Sequence, residues 1–561
     1  MIFRGIPVSP GIAIGKVFVL EKEIQNVYRR SILANAVKNE IARFRKAVSQ
    51  TRKDIMEVEK KIRKELGRRK SQIFEGYRLF LEDRILIEDT EEIIRKQKVN
   101  VEFAFSMQLK KIISEFQNIK NAYLKERARD ISELGNKIMA HLLQRDEKFS
   151  WSQIPENSVI VAHNITPADT TNMKGNSVIA FVTDIGGKTS HTAIMARALE
   201  IPAVTGLKNF SQNIEGMQDI IVDGVSGIVI TAPDEETLIN YKRERKKYHE
   251  EQYSLQYLIE KPTVTRDGKT LSLMANIEIP EEIPTVLAHG AEGIGLYRSE
   301  YIFMNSPEVP KEAEQYQIYK TICEKMLPYP VIVRTFDIGA DKLAGSIELP
   351  EEANPIMGLR AIRLCFKIPE VFKTQLRALM RASSAGNLKI MIPMITSVSE
   401  VKKVKTVLEE VKRELENEGV PFNKKTPLGA LIEVPSAALT ADLIAEEVDF
   451  LSIGTNDLIQ YTLAADRSNE NVGYIYEPMD LSILRLIDYV VKASHRAGKQ
   501  VSMCGEMASD PAYTKLLVGM DFDELSMSSI SIPKIKQIIR TTDYREAKKF
   551  ARDFVKHPLD V

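Results

Sequence analysis

The sequence predicts a multidomain α/β protein: an α/β domain that contains an inserted helical bundle, followed by a (β/α)8 barrel of the TIM type. The chain of 561 residues is long enough for several domains with large cores. Helical periodicity dominates residues 36–143, between two groups of strand patterns. From residue 261 onward, strand patterns alternate with amphipathic helix patterns, which is typical of a barrel.

The first domain is predicted from two separated segments. Residues 1–20 indicate a strand, a Pro/Gly turn and a second strand. Further strand and helix patterns follow the helical stretch, at Ser158–Ala162, Ser177–Thr183, Thr192–Leu199 (helix) and Ile220–Ile230. We therefore expect one α/β unit, residues 1–25 and 146–235, that closes around the insert.

The insert is predicted to be a helical bundle over residues 26–145. Phe105, Leu109, Ile112 and Phe116 recur at the spacing that places them on one helix face. A linker helix is expected at 236–260, because the charged run from Tyr241 contains neither Gly nor Pro. Its acidic and basic residues alternate, which favours a solvated helix over a nucleic-acid-binding patch.

Charge and composition exclude several classes of protein. The chain holds 78 Lys and Arg against 77 Asp and Glu, so no overall attraction to nucleic acid is expected. The segment from Arg29 to Arg145, however, contains 28 basic and 17 acidic side chains. The three cysteines are far apart and indicate a reduced, cytoplasmic protein without a disulfide framework. The sequence shows neither a signal-peptide core nor a long apolar run, so we expect neither export nor a membrane span.

The barrel is predicted over residues 261–561 from eight strand patterns. They lie at 271–277, 292–297, 329–337, 388–394, 428–434, 449–454, 500–505 and 522–528. Strand–helix repeats of this number favour a (β/α)8 barrel, and a doubly wound sheet is the alternative.

A glycine turn, Gly186–Gly187, precedes a helix whose first turn is predicted to hold His191. The backbone N–H groups and the dipole of a helix start favour a nearby anion. A histidine in that position is able to carry a phosphoryl group as a nucleophile. The alternative is an ordinary Ser/Thr helix cap beside an incidental surface histidine.

Polar residues follow the predicted barrel strands one after another, at the ends where barrel enzymes collect their chemistry. They are Arg298, Arg334, Glu433, Asn456, Asp457 and Cys504, with Arg467 in a loop ten positions past Asp457. Each of them singly is more often a structural ion pair or a cap. Together they are hard to attribute to chance.

The chemistry of this set is coherent. Arginine forks match phosphate and carboxylate groups. Glu433 and Asp457 offer the hard oxygen ligands that Mg²⁺ prefers, and Cys504 is able to deliver or remove a proton, although most cysteines are inert. A small phosphorylated anion in the barrel would then give its phosphoryl group to His191, with the linker letting the two domains approach.

The motifs of the chain resemble those of Enzyme I, the phosphoenolpyruvate–protein phosphotransferases of the bacterial sugar phosphotransferase system. The resemblance covers nearly the whole chain and includes GIPVSPGIAIGKV, GGKTSHTAIMARALEIPAV, EGIGLYRSEYIFM, VIVRTFDIGADK, LIEVPSAA, FLSIGTNDLIQYTLAADR and VSMCGEMASD. It implies that phosphoenolpyruvate phosphorylates His191, leaving pyruvate, and that the phosphoryl group passes to a histidine of the carrier protein HPr.

The resemblance also implies roles for individual residues. Arg298, Arg334, Arg467 and Arg360 match substrate-binding arginines, and Asn456 and Asp457 match a substrate-contacting pair. Glu433 and Asp457 match Mg²⁺ ligands, and Cys504 matches the proton donor that makes pyruvate. The barrel is expected to form the homodimer, and the helical insert is expected to dock HPr.

Two alternatives and one mismatch accompany this resemblance. Pyruvate phosphate dikinases and phosphoenolpyruvate synthases share the histidine and barrel domains but also need an ATP-binding domain. A non-catalytic phosphoenolpyruvate sensor would be expected to lack His191, Cys504 or a metal ligand. The basic insert is unexpected for docking a basic carrier, unless the docking face is locally acidic or apolar around Glu75, Glu82 and Asp83.

Overall fold

The computed structural model describes residues 1–20, 29–66, 81, 84–117, 131, 134–135, 137–143, 154–165, 177–187, 190–214, 218–304, 309–339, 352, 354–467, 469 and 471–556. The chain divides into two units, Met1–Arg245 and Lys246–Val561. Across the described ranges, no helix has both the length and the apolar character needed to cross a membrane.

The first unit contains an eight-stranded mixed sheet in the order β1-β8-β7-β3-β4-β5-β6-β2. Its strands are β1 (Ile2–Arg4), β2 (Ile6–Ser9), β3 (Ile12–Val19), β4 (Ser158–Ala162), β5 (Val178–Thr183), β6 (Ala203–Thr205), β7 (Asp219–Asp223) and β8 (Ile228–Thr231). The central strands β3 to β6 are parallel. Burial on both faces explains why β4 and β5 are continuous apolar runs.

The predicted strand Ile220–Ile230 is in fact two antiparallel strands, β7 and β8. Asp223 ends the first of them, because its Oδ1 accepts hydrogen bonds from the backbone N–H groups of Val225 (2.9 Å) and Ser226 (3.0 Å). Such a local bond reverses the chain, and Gly227 supplies the left-handed conformation (φ +74°) that closes the turn. The apolar pattern alone did not reveal this turn.

The helices described in the first unit are α1 (Val37–Leu66), α2 (Arg84–Gln97), α3 (Val101–Gln117) and α4 (His191–Ala198). The first three pack around a core of their own that includes Phe44, Leu86 and Phe105. Leu109 and Ile112 are buried in the same core, as their spacing predicted. The charged run from Tyr241 lies in α5 (Glu235–Gln256), which is helical as expected.

The second unit is built on a closed barrel of eight parallel strands. They are β9 (Ser272–Ile277), β10 (Ile294–Arg298), β11 (Val331–Arg334), β12 (Leu388–Ile392), β13 (Leu428–Ile432), β14 (Phe450–Ile453), β15 (Gln500–Met503) and β16 (Glu524–Met527). Strand β16 pairs with β9 and closes the ring. All eight predicted strands are confirmed, and the alternative of an open doubly wound sheet is wrong.

Helices follow the barrel strands along the chain, and short ones such as α7 and α14 begin at the carboxyl end of a strand. They are α6 (Ile283–Ala288), α7 (Glu300–Met304), α8 (Glu312–Met326), α9 (Ala361–Lys367), α10 (Pro369–Ala382), α11 (Val398–Asn417), α12 (Pro435–Leu439), α13 (Ala441–Glu447), α14 (Thr455–Thr462), α15 (Leu481–Arg496), α16 (Pro511–Gly519), α17 (Ile532–Thr541) and α18 (Tyr544–Lys556). Because all strands run the same way, their carboxyl ends meet at one rim, the barrel mouth.

Candidate active site

His191 is the first residue of α4, as the sequence predicted. Gly186 adopts the left-handed conformation (φ +128°) that the turn before the helix requires. Ser190 is the N-cap, and its Oγ accepts a hydrogen bond from the backbone N–H of Ala193 at 3.2 Å. The serine therefore performs the capping role, which leaves the histidine at the positive end of the helix dipole.

The turn before His191 is anchored by Asp184, whose side chain is fully buried. Its carboxylate accepts hydrogen bonds from the backbone N–H (2.8 Å) and the hydroxyl (2.5 Å) of Ser211. His163 contacts the same carboxylate through Nδ1 at 3.0 Å. A buried carboxylate with this many partners fixes the end of β5, so the helix start has a rigid base.

At the barrel mouth, Arg298 and Arg334 are held by carboxylates. Arg298 lies 2.7 Å from Glu278, and Arg334 contacts Glu300 (3.0 Å) and Asp337 (3.2 Å). Guanidinium groups that are held by carboxylates in a buried site keep a fixed direction, which is what recognition of a small anion needs.

Arg360 is tied to two carboxylates on different segments of the mouth. Its Nη2 lies 2.8 Å from Asp337 and 3.1 Å from Asp457. Its Nη1 donates a hydrogen bond to the hydroxyl of Tyr461 at 3.2 Å. Burial acts to raise the pKa of Asp337, but Arg334 and Arg360 outweigh it and hold that pKa below its ordinary value.

Three carboxylates converge beside these arginines. Asp337, Glu433 and Asp457 each offer an oxygen, and these atoms all lie within 4.8 Å of one another. Burial, and then the neighbouring carboxylates of Asp337 and Asp457, raise the pKa of Glu433 well above its ordinary value. Like charges gathered in a buried site favour a bound cation, and an all-oxygen donor set suits Mg²⁺.

Cys504 follows β15 and is buried at the inner side of the mouth. Its thiol accepts a hydrogen bond from the Ser452 hydroxyl at an Oγ–Sγ distance of 3.5 Å. Burial raises the pKa of the thiol to about 11. The thiol is therefore protonated at neutral pH, so it is suited to donating a proton rather than to nucleophilic attack.

Asn456 and Arg467 lie on the outer side of the mouth. The Asn456 side chain accepts a hydrogen bond from the backbone N–H of Glu506 at 2.9 Å, and its backbone carbonyl accepts one from the Tyr476 hydroxyl at 3.2 Å. Arg467 is exposed, and its charge acts to lower the pKa of Tyr476, which burial raises to about 12.

Three profiles of phosphoenolpyruvate-utilising enzymes match the chain: the N-terminal region (residues 4–127), the mobile domain (154–227) and the PEP-binding domain (252–544). The phosphoenolpyruvate-protein phosphotransferase of Priestia megaterium is 45% identical over 537 residues, which cover 96% of this chain and 93% of that protein. The chain belongs to the phosphoenolpyruvate-protein phosphotransferase family. The corresponding proteins of Staphylococcus carnosus (strain TM300) and Bacillus subtilis (strain 168) are 42% and 43% identical, each over 98% of this chain and 95% of its relative.

Membership of the phosphoenolpyruvate-protein phosphotransferases favours this enzyme class over the dikinase, synthase and sensor alternatives. The barrel mouth brings four of the eight predicted site residues of the second unit into one connected set, namely Arg334, Arg360, Glu433 and Asp457. Arg360, which was predicted through the family resemblance and not from its position after a strand, lies within this set. His191 lies in the first unit, at the start of α4.

The sequence analysis did not identify two carboxylates that organise the barrel mouth. Asp337 contacts both Arg334 and Arg360, and it also belongs to the carboxylate cluster. Glu300 accepts hydrogen bonds from Arg334 (3.2 Å) and from the backbone N–H of Asp337 (2.7 Å). A signal was present, since each carboxylate follows a strand-end arginine by two or three residues, namely Arg298 and Arg334.

Proposed function

We propose that the protein transfers the phosphoryl group of phosphoenolpyruvate to His191, releases pyruvate, and passes the phosphoryl group to a histidine of the carrier protein HPr. The observation that carries this proposal is the barrel mouth, where arginines, a carboxylate cluster and a protonated thiol stand together. A small trianion with a phosphate, a carboxylate and a carbon that needs a proton fits each of these groups.

The arginines have the task of binding and orienting the substrate. Arg298, Arg334, Arg360 and Arg467 present guanidinium groups for its phosphate and carboxylate. Asn456 adds an amide at the same rim, beside Asp457 in the first turn of α14. Fixing the substrate in this way aligns its phosphorus with an incoming imidazole without further reorganisation.

The chain's own residues also fit the magnesium ion that the family uses. Glu433 and Asp457 would hold it, and Asp337 is a third oxygen donor at the same point. When bound, the cation neutralises negative charge on the phosphate. Without a cation, burial and the neighbouring carboxylates, which together raise the pKa of Glu433, oppose full ionisation of the cluster.

One phosphoryl transfer and one proton transfer complete the reaction. The His191 imidazole attacks phosphorus, and the bond to the enol oxygen breaks, which leaves enolpyruvate in the barrel. Cys504 then gives its proton to the methylene carbon of the enolate, and pyruvate results. The buried thiol, with a pKa of about 11, retains this proton until the enolate forms.

The helical insert is proposed to dock HPr, and some of its basic side chains form ion pairs with carboxylates of the insert. Arg45 and Arg95 both contact Glu91, at 2.6 and 2.7 Å, and Arg43 contacts Glu40 at 2.8 Å. The docking face was expected to be locally acidic or apolar around Glu75, Glu82 and Asp83, and these three residues lie outside the described residues.

Two further proposals follow the family resemblance. The barrel unit forms the homodimer, which sedimentation of the purified protein over a concentration series would test. The protein acts in the cytoplasm, and its three free, buried cysteines support a reducing compartment.

The decisive experiment incubates the protein with labelled phosphoenolpyruvate and Mg²⁺ but without ATP. We expect acid-labile phosphate on the protein, one pyruvate per phosphate, and transfer to HPr when it is added. His191→Ala should abolish labelling, whereas His249→Ala, an exposed histidine of α5, should not. Labelling that persists in His191→Ala, or that requires ATP, would contradict the proposal.

A further inference from the structure

The interior of the barrel combines an apolar cluster with a few polar side chains. Leu296, Ile332, Met391, Leu431 and Phe450 form the apolar cluster, which reaches Cys504. Strands β14, β16 and β9 also contribute polar side chains, namely Ser452, Ser526 and Asn276. Polar groups inside a barrel cost stability unless they are hydrogen-bonded, so their partners indicate their purpose.

All three polar side chains are connected to Cys504. Ser452 is fully buried and donates its hydroxyl to Sγ at 3.5 Å. Asn276 donates through Nδ2 to the backbone carbonyl of Cys504 at 3.1 Å. Ser526 in turn donates to Asn276 Oδ1 at 2.6 Å and thereby fixes which way the amide faces. The thiol and its backbone are therefore held from two sides.

We propose that Ser452 is a positioning residue for the proton transfer from Cys504, because its hydroxyl aims the thiol and stabilises the thiolate that the transfer leaves. This inference rests on the proposed function. In the transfer, the S–H bond breaks and its electron pair stays on sulfur. The enolate's carbon–carbon π pair forms the new C–H bond, and the enolate oxygen becomes the ketone oxygen of pyruvate.

The surroundings of the thiol make the Ser452 contact important. Burial destabilises the thiolate and has the largest effect on the pKa of Cys504. The hydrogen bond from Ser452 has the second largest effect and acts to lower that pKa. The charged groups around the thiol oppose one another, since Arg334 and Arg298 act to lower this pKa and Glu433 acts to raise it. A directed neutral donor therefore stabilises the thiolate without adding charge to the substrate site.

The barrel supplies a matched control on the neighbouring strand. Ser502 is the register partner of Ser452, across the β14–β15 pair. Its Oγ is buried in the same barrel, and no partner for it is found within the described residues. Ser502→Ala therefore removes the same hydroxyl from the same kind of environment without touching the thiol.

The test compares the full-length wild-type protein with Ser452→Ala, Ser452→Thr and Ser502→Ala in single turnovers with phosphoenolpyruvate and Mg²⁺. Pyruvate formation is divided by the acid-labile phosphate formed in the same sample, so that any unfolded fraction cancels. In Ser452→Ala we expect this ratio to fall roughly tenfold, while phosphorylation of His191 keeps its rate. Ser452→Thr should restore the ratio, and Ser502→Ala should not change it.

A second measurement does not depend on the reaction. The pH dependence of Cys504 alkylation, followed by peptide mass spectrometry, should shift upward by about one pH unit in Ser452→Ala, a tenfold loss of thiolate at fixed pH. An unchanged alkylation profile would overturn the proposal even if the enzyme is active. Equal losses in Ser452→Ala and Ser502→Ala would do the same. If instead the wild type takes no phosphate from phosphoenolpyruvate, it is the proposed function that fails.

Discussion

Arg360 and Asp337 form a forked ion pair at the barrel mouth. Arg360 Nη2 lies 2.8 and 2.9 Å from the two carboxylate oxygens of Asp337, and Nε donates to Oδ1 at 3.1 Å. Because Asp337 also contacts Arg334 at 3.2 Å, one buried carboxylate sets the direction of two arginines that we propose bind the substrate. The proposed substrate site is therefore organised before the substrate arrives.

Asp337→Asn should impair substrate binding. Loss of the carboxylate leaves two buried guanidinium groups partly unpaired, which costs about 2–5 kcal/mol. A cost of this size corresponds to a fall in kcat/KM of roughly thirtyfold or more. The measurement is phosphoenolpyruvate-dependent pyruvate formation at saturating Mg²⁺. Asp442→Asn, an exposed carboxylate on α13, serves as the control. A normal kcat/KM in Asp337→Asn would show that Asp337 does not orient the arginines.

Gln375 on α10 supports the same mouth from behind. Its Nε2 donates to the Ser299 hydroxyl and to the Tyr319 hydroxyl, both at 3.0 Å, and its Oε1 accepts from the Phe336 backbone N–H at 3.1 Å. Ser299 follows Arg298, and Phe336 lies two residues past Arg334 in the chain. One fully buried amide thus joins the ends of two strands that carry arginines proposed to bind the substrate.

Gln375→Leu should lower the stability of the barrel and raise the KM for phosphoenolpyruvate. Each buried partner left without a hydrogen bond costs about 1–3 kcal/mol, and displaced strand ends move the arginines. Calorimetry gives the first effect and steady-state kinetics the second. Gln317→Leu, on the exposed side of α8, should change neither. A destabilised variant with an unaltered KM would contradict the link to the arginines.

The sequence predicted the barrel well because its strands are local features. Each is a short and mostly apolar run, and the chain alternates such runs with helices. The polar residues that directly follow a strand, such as Glu433 and Cys504, could be placed at the mouth for the same reason.

Contacts between distant segments could not be predicted in this way. Asp337 and Arg360 are 23 residues apart, and Gln375 and Ser299 are 76 apart. Their pairing depends on how a loop and a helix pack against the barrel, which no local pattern records. Ser452 was hidden for another reason, since a serine inside an apolar strand reads as an ordinary strand residue.

Gly505 directly follows Cys504 at a place where two backbones approach closely. A Cβ atom on Gly505 would lie 2.8 Å from the backbone N of Thr455, and it would also overlap the Thr455 hydroxyl. Since backbone cannot move as a side chain can, Gly505→Ala should displace the loop that carries Cys504. A displacement of about 1 Å in a catalytic group costs on the order of 10²-fold in rate.

The measurement for Gly505→Ala is pyruvate formation per phosphate transferred to the protein. Gly473→Ala is the matched control, because a Cβ at Gly473 has no described neighbour within 4 Å. We expect the ratio to fall in the first variant and to stay normal in the second. Normal pyruvate formation in Gly505→Ala would mean that the loop tolerates the methyl group and that the thiol does not require this close approach.

Glu524, at the start of β16, gives the barrel a pH-dependent stability. Burial raises its pKa to about 7 from an ordinary value of 4.5, although Lys389 acts to lower it and Asp523 and Glu292 act to raise it. Between these two pH values the folded protein holds a proton that the unfolded chain has released, so stability falls as the pH rises. The loss is complete above about pH 7 and amounts to at most roughly 3 kcal/mol.

Glu524→Gln should remove this dependence. The amide keeps the neutral shape of the protonated acid. The variant should therefore have the melting temperature of the wild type at about pH 5 and a higher one at about pH 8. Calorimetry of the barrel transition across this range is the measurement. Glu546→Gln, an exposed glutamate on α18, should leave the wild-type slope unchanged. A wild type whose melting temperature is flat or rises between these pH values would mean that Glu524 is ionised in the folded barrel at little cost.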